Sequence, residues 1–126
     1  MQYEITAIYA AILGLLTAGL GFAAVIMRAR SGISWGHGDS FPLQRAIRAH
    51  GNLTEYAPIF LIILLILENA GASYTWLHGL GAAFVTGRLV SALYFWVAQK
   101  FALRVIALWG AVLPIVAGAI LLLLQA

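Results

Sequence analysis

The sequence predicts an all-α integral membrane protein, a four-transmembrane-helix bundle forming a single domain over residues 1–126. Three observations carry that reading. The 126 residues are 63% hydrophobic and only 9% charged, with a mean hydropathy of +0.99, whereas a soluble domain carries about 25% charged residues. Two uncharged runs, Ile5–Met27 and Val105–Ala126, each reach the roughly 20 residues that cross a bilayer. Between them lie two further long segments, bounded by short polar or Gly-containing links. There is no cysteine, so the chain has no disulfide framework, no thiolate metal site and no cysteine nucleophile of its own.

Span 1 covers about residues 4–27. Its leading residues Met1-Gln2-Tyr3-Glu4 lack a positive n-region, and its apolar run exceeds the roughly 7–15 residues of a signal peptide, so it is read as a retained span. The loop Arg28–Ser40 is rich in Gly and Ser and ends at the cap-like pair Asp39-Ser40 before Phe41-Pro42. A capping residue followed by Pro marks a helix start. Span 2 therefore covers about residues 42–68, polar in its first half and apolar in its second, with Gly71 as its stop. Span 3 covers about 74–98, and a link around residues 99–103 leads to span 4 at about 104–124.

Gly79, Ala83, Gly87 and Ser91 recur every four residues on span 3, as do Gly110, Pro114 and Gly118 on span 4. Such stripes let helix backbones approach closely in lipid. Trp76, Trp96 and Trp109 are read as interfacial anchors near span ends. Arg28, Arg30, Arg45 and Arg48 flank the first loop, and Lys100 and Arg104 the third. The positive-inside rule then puts loops 1 and 3 in the cytoplasm and both termini outside.

Charges at bilayer depth are costly and mark functional or paired sites. On span 2, Arg45, Arg48, Asn52 and Glu55 are spaced 3, 4 and 3 apart. At about 100° per residue they share one stripe narrower than a quarter-turn, with Tyr56 at its margin. Two guanidiniums, an amide and one carboxylate suit a small zwitterion with excess carboxylate. The plainer alternative is an amphipathic helix entrance, with Arg45 snorkelling to the interface and Arg48–Glu55 a structural pair. Arg88 on span 3 reaches a depth similar to Glu55, and a structural Arg88–Glu55 pair is favoured over direct ligand contact. Arg104 opens span 4, where an interfacial anchor is the plain reading. His37, His50 and His78 lie too far apart in depth for a metal site, with His50 on the face opposite Arg48 and Asn52. Glu68, near the outer end of span 2, is expected to be solvated. The few basic residues argue against a nucleic-acid partner.

The run Arg45-Ala-Ile-Arg48-Ala-His50-Gly-Asn52-Leu-Thr-Glu55-Tyr56-Ala-Pro58 resembles the R-x-x-R-x-x-x-N-x-x-E-x-x-P signature of the MAPEG superfamily, the membrane-associated proteins in eicosanoid and glutathione metabolism. The Gly87-Arg88 pair and an Arg at the start of span 4 extend the resemblance over essentially the whole chain. The loop Gly36-His37-Gly38-Asp39 is similar to that of small bacterial members. The resemblance implies a homotrimer in a bacterial inner membrane, with membrane lipids as neighbours and glutathione, as thiol co-substrate, bound between subunits near the cytoplasmic side. By motif position Arg48, Asn52, Glu55 and Tyr56 would hold the tripeptide, Glu55 taking its γ-glutamyl amine. Arg45, Arg88 and Tyr94 are counted with them, and one of Arg28 and Arg30 would come from the adjacent subunit. Arg104 stands sixteen residues after Arg88, the interval of the prostaglandin E synthase branch, and would be the catalytic arginine that stabilises the thiolate.

The family pattern often has His or Tyr three residues after the span 3 arginine and Tyr seven after it. Here these are Ser91 and Phe95, with Tyr94 one place out of register. The expected function is a glutathione-binding transferase or peroxidase acting on lipophilic electrophiles or lipid hydroperoxides. The alternative is a non-catalytic trimer that binds lipid or an anionic metabolite, or an accessory membrane subunit. A channel is disfavoured, because the charges look interlocked rather than ring-forming.

Overall fold

The structure is a computed structural model that describes residues 2–125; Met1 and Ala126, the last residue of the uncharged run that begins at Val105, lie outside them. Four helices follow one another: α1 (Glu4–Ser31), α2 (Phe41–Asn69), α3 (Tyr74–Trp96) and α4 (Phe101–Gln125). Local chemistry sets most of their ends. Gly32, at φ +67°, closes α1 in the left-handed conformation that glycine adopts freely. Ser40 Oγ accepts from Leu43 N at 3.4 Å with Pro42 in the first turn of α2, and Ser73 does the same for α3 through Trp76 N. Gly71, at φ +80°, turns the chain after α2.

Two ends differ from expectation. α1 runs one turn further, so Arg28 and Arg30 lie in its last turn. α4 begins at Phe101, so Arg104 sits at the end of its first turn rather than opening it. Trp109, expected near a span end, is the ninth residue of α4, about 12 Å from its start.

Each helix packs antiparallel on the next. Gly21 of α1 faces His50 of α2 while Ile5 meets Glu68. Asn52 meets Arg88 and Ser91, while the Phe60 and Phe84 rings stack with centroids 4.0 Å apart. Gly87 lies against Gly110, with no room for a Cβ between them, and Gly118 fits beside Leu80 and Ile63. The core runs along this seam through Leu13, Leu53, Phe60, Leu64, Phe84 and Ala111.

Glu68 is not simply solvated. Its two carboxylate oxygens accept from Ile5 N at 2.9 Å and Thr6 N at 2.8 Å, so α2 caps a helix whose own Tyr3 offers no side-chain cap. A carboxylate there also complements the positive end of the helix dipole.

Among the described residues three helices, α1, α2 and α4, are long and apolar enough to cross a membrane. The 23 residues of α3 reach about 34 Å, but Gly79, Gly81, Thr86, Gly87 and Arg88 dilute its apolar content. Its strongest polar group faces inward, since Arg88 is only 2% exposed. Large apolar side chains such as Leu15, Phe22, Leu113 and Leu123 instead cover the outside. The protein is therefore an integral membrane protein with the four helices the sequence predicts, three of them long and apolar enough to cross a membrane.

Candidate functional site

The end of the bundle that carries the α1–α2 loop and the α3–α4 link holds a cleft of about 390 Å³. Three helices line it. From α2 come Arg48, Asn52 and Tyr56; from α3, Arg88, Ser91, Tyr94 and Phe95; from α4, Arg104, Ala107 and Leu108. The α2 residues are spaced i, i+4, i+8, a single row up the helix. Three guanidiniums thus face one space, and no Asp or Glu lines it.

Arg88 is the most enclosed of them. It donates to Asn52 Oδ1 and to the Ala107 carbonyl oxygen. Its guanidinium carbon lies 5.2 Å from the Tyr56 ring centroid and 5.5 Å from that of Phe84, within cation–π range. Its Nε is buried and has no hydrogen-bond partner. Ser91 Oγ donates to the same Asn52 Oδ1 at 2.8 Å. No carboxylate pairs with Arg88 among the described residues. A buried charge without a counter-ion is costly, so two oxygen acceptors and two ring faces replace it only in part.

The expected Arg88–Glu55 pair is therefore not formed. Glu55 lies on the outer edge of the span 2 stripe, where Arg48 Nη1 reaches its Oε1 at 3.4 Å with both side chains about half exposed. The open alternative, an Arg48–Glu55 pair, is the one present. At that exposure it contributes at most about 1 kcal/mol.

Of the residues the sequence singled out, the fold brings together Arg48, Asn52, Tyr56, Arg88, Tyr94 and Arg104. It leaves Glu55, Arg45, Arg28 and Arg30 out of the cleft lining of this chain. Arg28 Nη1 is engaged elsewhere, donating to the carbonyls of Ile33, Ser34 and Gly36 at 2.9–3.2 Å, where it holds the loop together. Arg30 and Arg45 are exposed. His50 packs toward Gly21 on α1, away from the cleft. Sequence reasoning did not anticipate the Ala107 carbonyl, which has no side-chain signal. Nor did it foresee that Ser91 and Asn52 bond to each other, although the small-residue stripe placed Ser91 on an inward face.

Chemically, the cleft offers cationic forks and an amide to an anion, with an apolar side formed by Phe95, Ala107 and Leu108. No group of three or more His, Asp or Glu among the described residues could hold a metal ion.

The MAPEG family model matches residues 6–124. Among curated proteins, the inner membrane protein YecN of Escherichia coli K12 is 36% identical over 86 residues, which is 68% of this chain and 66% of that protein. YecN of E. coli O6:H1 strain CFT073 matches to the same extent. The match thus spans just under two thirds of the length of these relatives. No solved structure matches the chain.

Proposed function

We propose, from the premise that this chain belongs to the MAPEG family, that it is a glutathione-binding inner-membrane transferase or peroxidase acting on lipophilic electrophiles or lipid hydroperoxides. The observation that carries the reading is the convergence of Arg48, Arg88 and Arg104 on one cleft without a lining carboxylate. Glutathione with an ionised thiol presents two carboxylates and a thiolate, and a cleft of positive charge without a lining carboxylate suits such an anion. The inner-membrane placement rests on the Escherichia coli relatives, which are inner membrane proteins, and the homotrimer on the family.

The protein's part in the reaction is electrostatic. A thiol of pKa near 8.5 is mostly protonated at pH 7, and an adjacent cation favours the thiolate. Arg104, exposed on the first turn of α4 and lining the cleft, is the arginine free to meet the sulfur, since Arg88 is engaged with Asn52 and Ala107. In conjugation the sulfur forms a bond to the electrophilic carbon and the leaving group departs with its electron pair. In peroxide reduction it attacks the terminal peroxide oxygen and the O–O bond breaks, the alkoxide leaving to take a proton as the alcohol; a second glutathione then displaces water from the sulfenic acid to form the disulfide. Arg48 and Asn52 hold carboxylates. Glu55 can accept the γ-glutamyl ammonium only by turning from Arg48.

The test is calorimetric titration of glutathione into the detergent-purified protein, with Arg48→Ala and Glu55→Ala as controls. Saturable binding that Arg48→Ala loses supports the cleft as the site. No binding up to millimolar glutathione overturns the reading. It would favour the second one, a non-catalytic trimer holding an anionic metabolite or lipid headgroup. Phe95, which lines the cleft with no polar group to offer a thiol, is the observation on that side.

A further inference from the structure

We propose that Ser91 is a positioning residue of the cleft: together with Arg88 it pins the Asn52 amide, so that Asn52 Nδ2 is presented as a donor to a carboxylate bound there. The inference rests on the glutathione reading for the identity of that carboxylate, and on the structure for the geometry.

A serine inside a helix ordinarily bonds back to a carbonyl one turn earlier on its own helix. Among the described residues three helical hydroxyls do so: Thr17 donates to Leu13 O at 2.7 Å, Ser31 donates to Arg28 O at 3.1 Å, and Thr54 donates to the carbonyls of His50 and Gly51. Ser91 does not. It reaches across to α2 and donates to Asn52 Oδ1 at 2.8 Å, and it is buried, at 5% exposure. The second donor to the same oxygen is Arg88 Nη1. A guanidinium has no acceptor, so it selects the oxygen end of the amide and turns the nitrogen end away. The terminal torsion of asparagine is otherwise broad and roughly two-fold. Two donors from adjacent turns of α3 converging on one oxygen remove that freedom. Asn52 Nδ2 makes no hydrogen bond to another described residue, and Asn52 lines the cleft. The structure thus holds a donor in place before any ligand arrives, which lowers the ordering cost of binding.

The test compares wild type, Ser91→Ala, Ser91→Thr and Asn52→Asp in detergent, measuring glutathione affinity by calorimetry and the thermal midpoint without ligand. Ser91→Ala is expected to weaken binding about three- to tenfold, the worth of one hydrogen bond, with the ligand-free midpoint little changed. Ser91→Thr, which keeps the hydroxyl, restores most of the affinity. Asn52→Asp gives Arg88 a carboxylate partner, so the midpoint holds or rises while binding is lost. That divergence is one a merely structural role would not produce. Wild-type binding that Ser91→Ala leaves unchanged, or a midpoint loss that parallels the affinity loss in every variant, overturns the positioning role alone. Absence of binding by the wild type overturns the glutathione reading and this inference together.

Discussion

Arg88 of α3 is bonded to Asn52 of α2, and a neutral amide thus stands where a buried cation ordinarily has a carboxylate. Breaking a buried pair by removing its anion is costly, whereas replacing the charge by a well-packed apolar chain is often neutral or stabilising. Arg88→Met is therefore expected to change stability by no more than about 1–2 kcal/mol in either direction. Asn52 keeps the Ser91 hydrogen bond in that variant. The cleft loses one of its three cations, and glutathione affinity is expected to fall about tenfold or more. Unfolding midpoints and calorimetry on the same preparation check both halves.

Arg104 is expected to separate binding from turnover. Arg104→Ala should lower kcat by about 100-fold, the scale of losing one electrostatic stabiliser of a developing charge, with KM for glutathione within a few-fold of wild type. A steady-state assay with a lipophilic electrophile reads the split. Equal losses in affinity and rate would make Arg104 a binding residue.

Glu68 ties the start of α1 to the end of α2. Glu68→Ala is expected to cost about 1 kcal/mol, the usual worth of a helix N-cap, and Glu68→Gln about half as much because one amide oxygen still accepts. Hydrogen exchange at the Ile5 and Thr6 amides is the specific check, since these are the two donors that lose their partner.

The small-residue stripe on α3 has unequal members. A Cβ at Gly87 would lie 2.6 Å from the Gly110 backbone, whereas one at Gly79 would meet nothing within 4 Å. Gly87→Ala is expected to destabilise by about 1–3 kcal/mol by forcing α3 from α4. Gly79→Ala should be neutral or slightly stabilising, since alanine favours the helix. Thermal unfolding of the two variants side by side tests the contrast.

The sequence by itself determined what depends on neighbours along the chain. The apolar runs set the helices, Ser40 with Pro42 and Gly71 bounded α2, and the 3, 4, 3 spacing put Arg48 and Asn52 on one face. Those are one-dimensional signals, read directly by the helical period. Only the tertiary structure decided who meets whom. Glu55 and Asn52 share the stripe, and a small rotation of α2 against α3 selects which one Arg88 touches. That rotation is fixed where α2 meets α3, by the stacking of Phe60 on Phe84 and the hydrogen bond of Ser91 to Asn52, contacts between residues far apart in sequence. The same holds for Glu68, whose partners lie more than sixty positions away, and for the Ala107 carbonyl, which no side chain advertises. Charge type and spacing are local properties, whereas pairing between helices is a property of their packing.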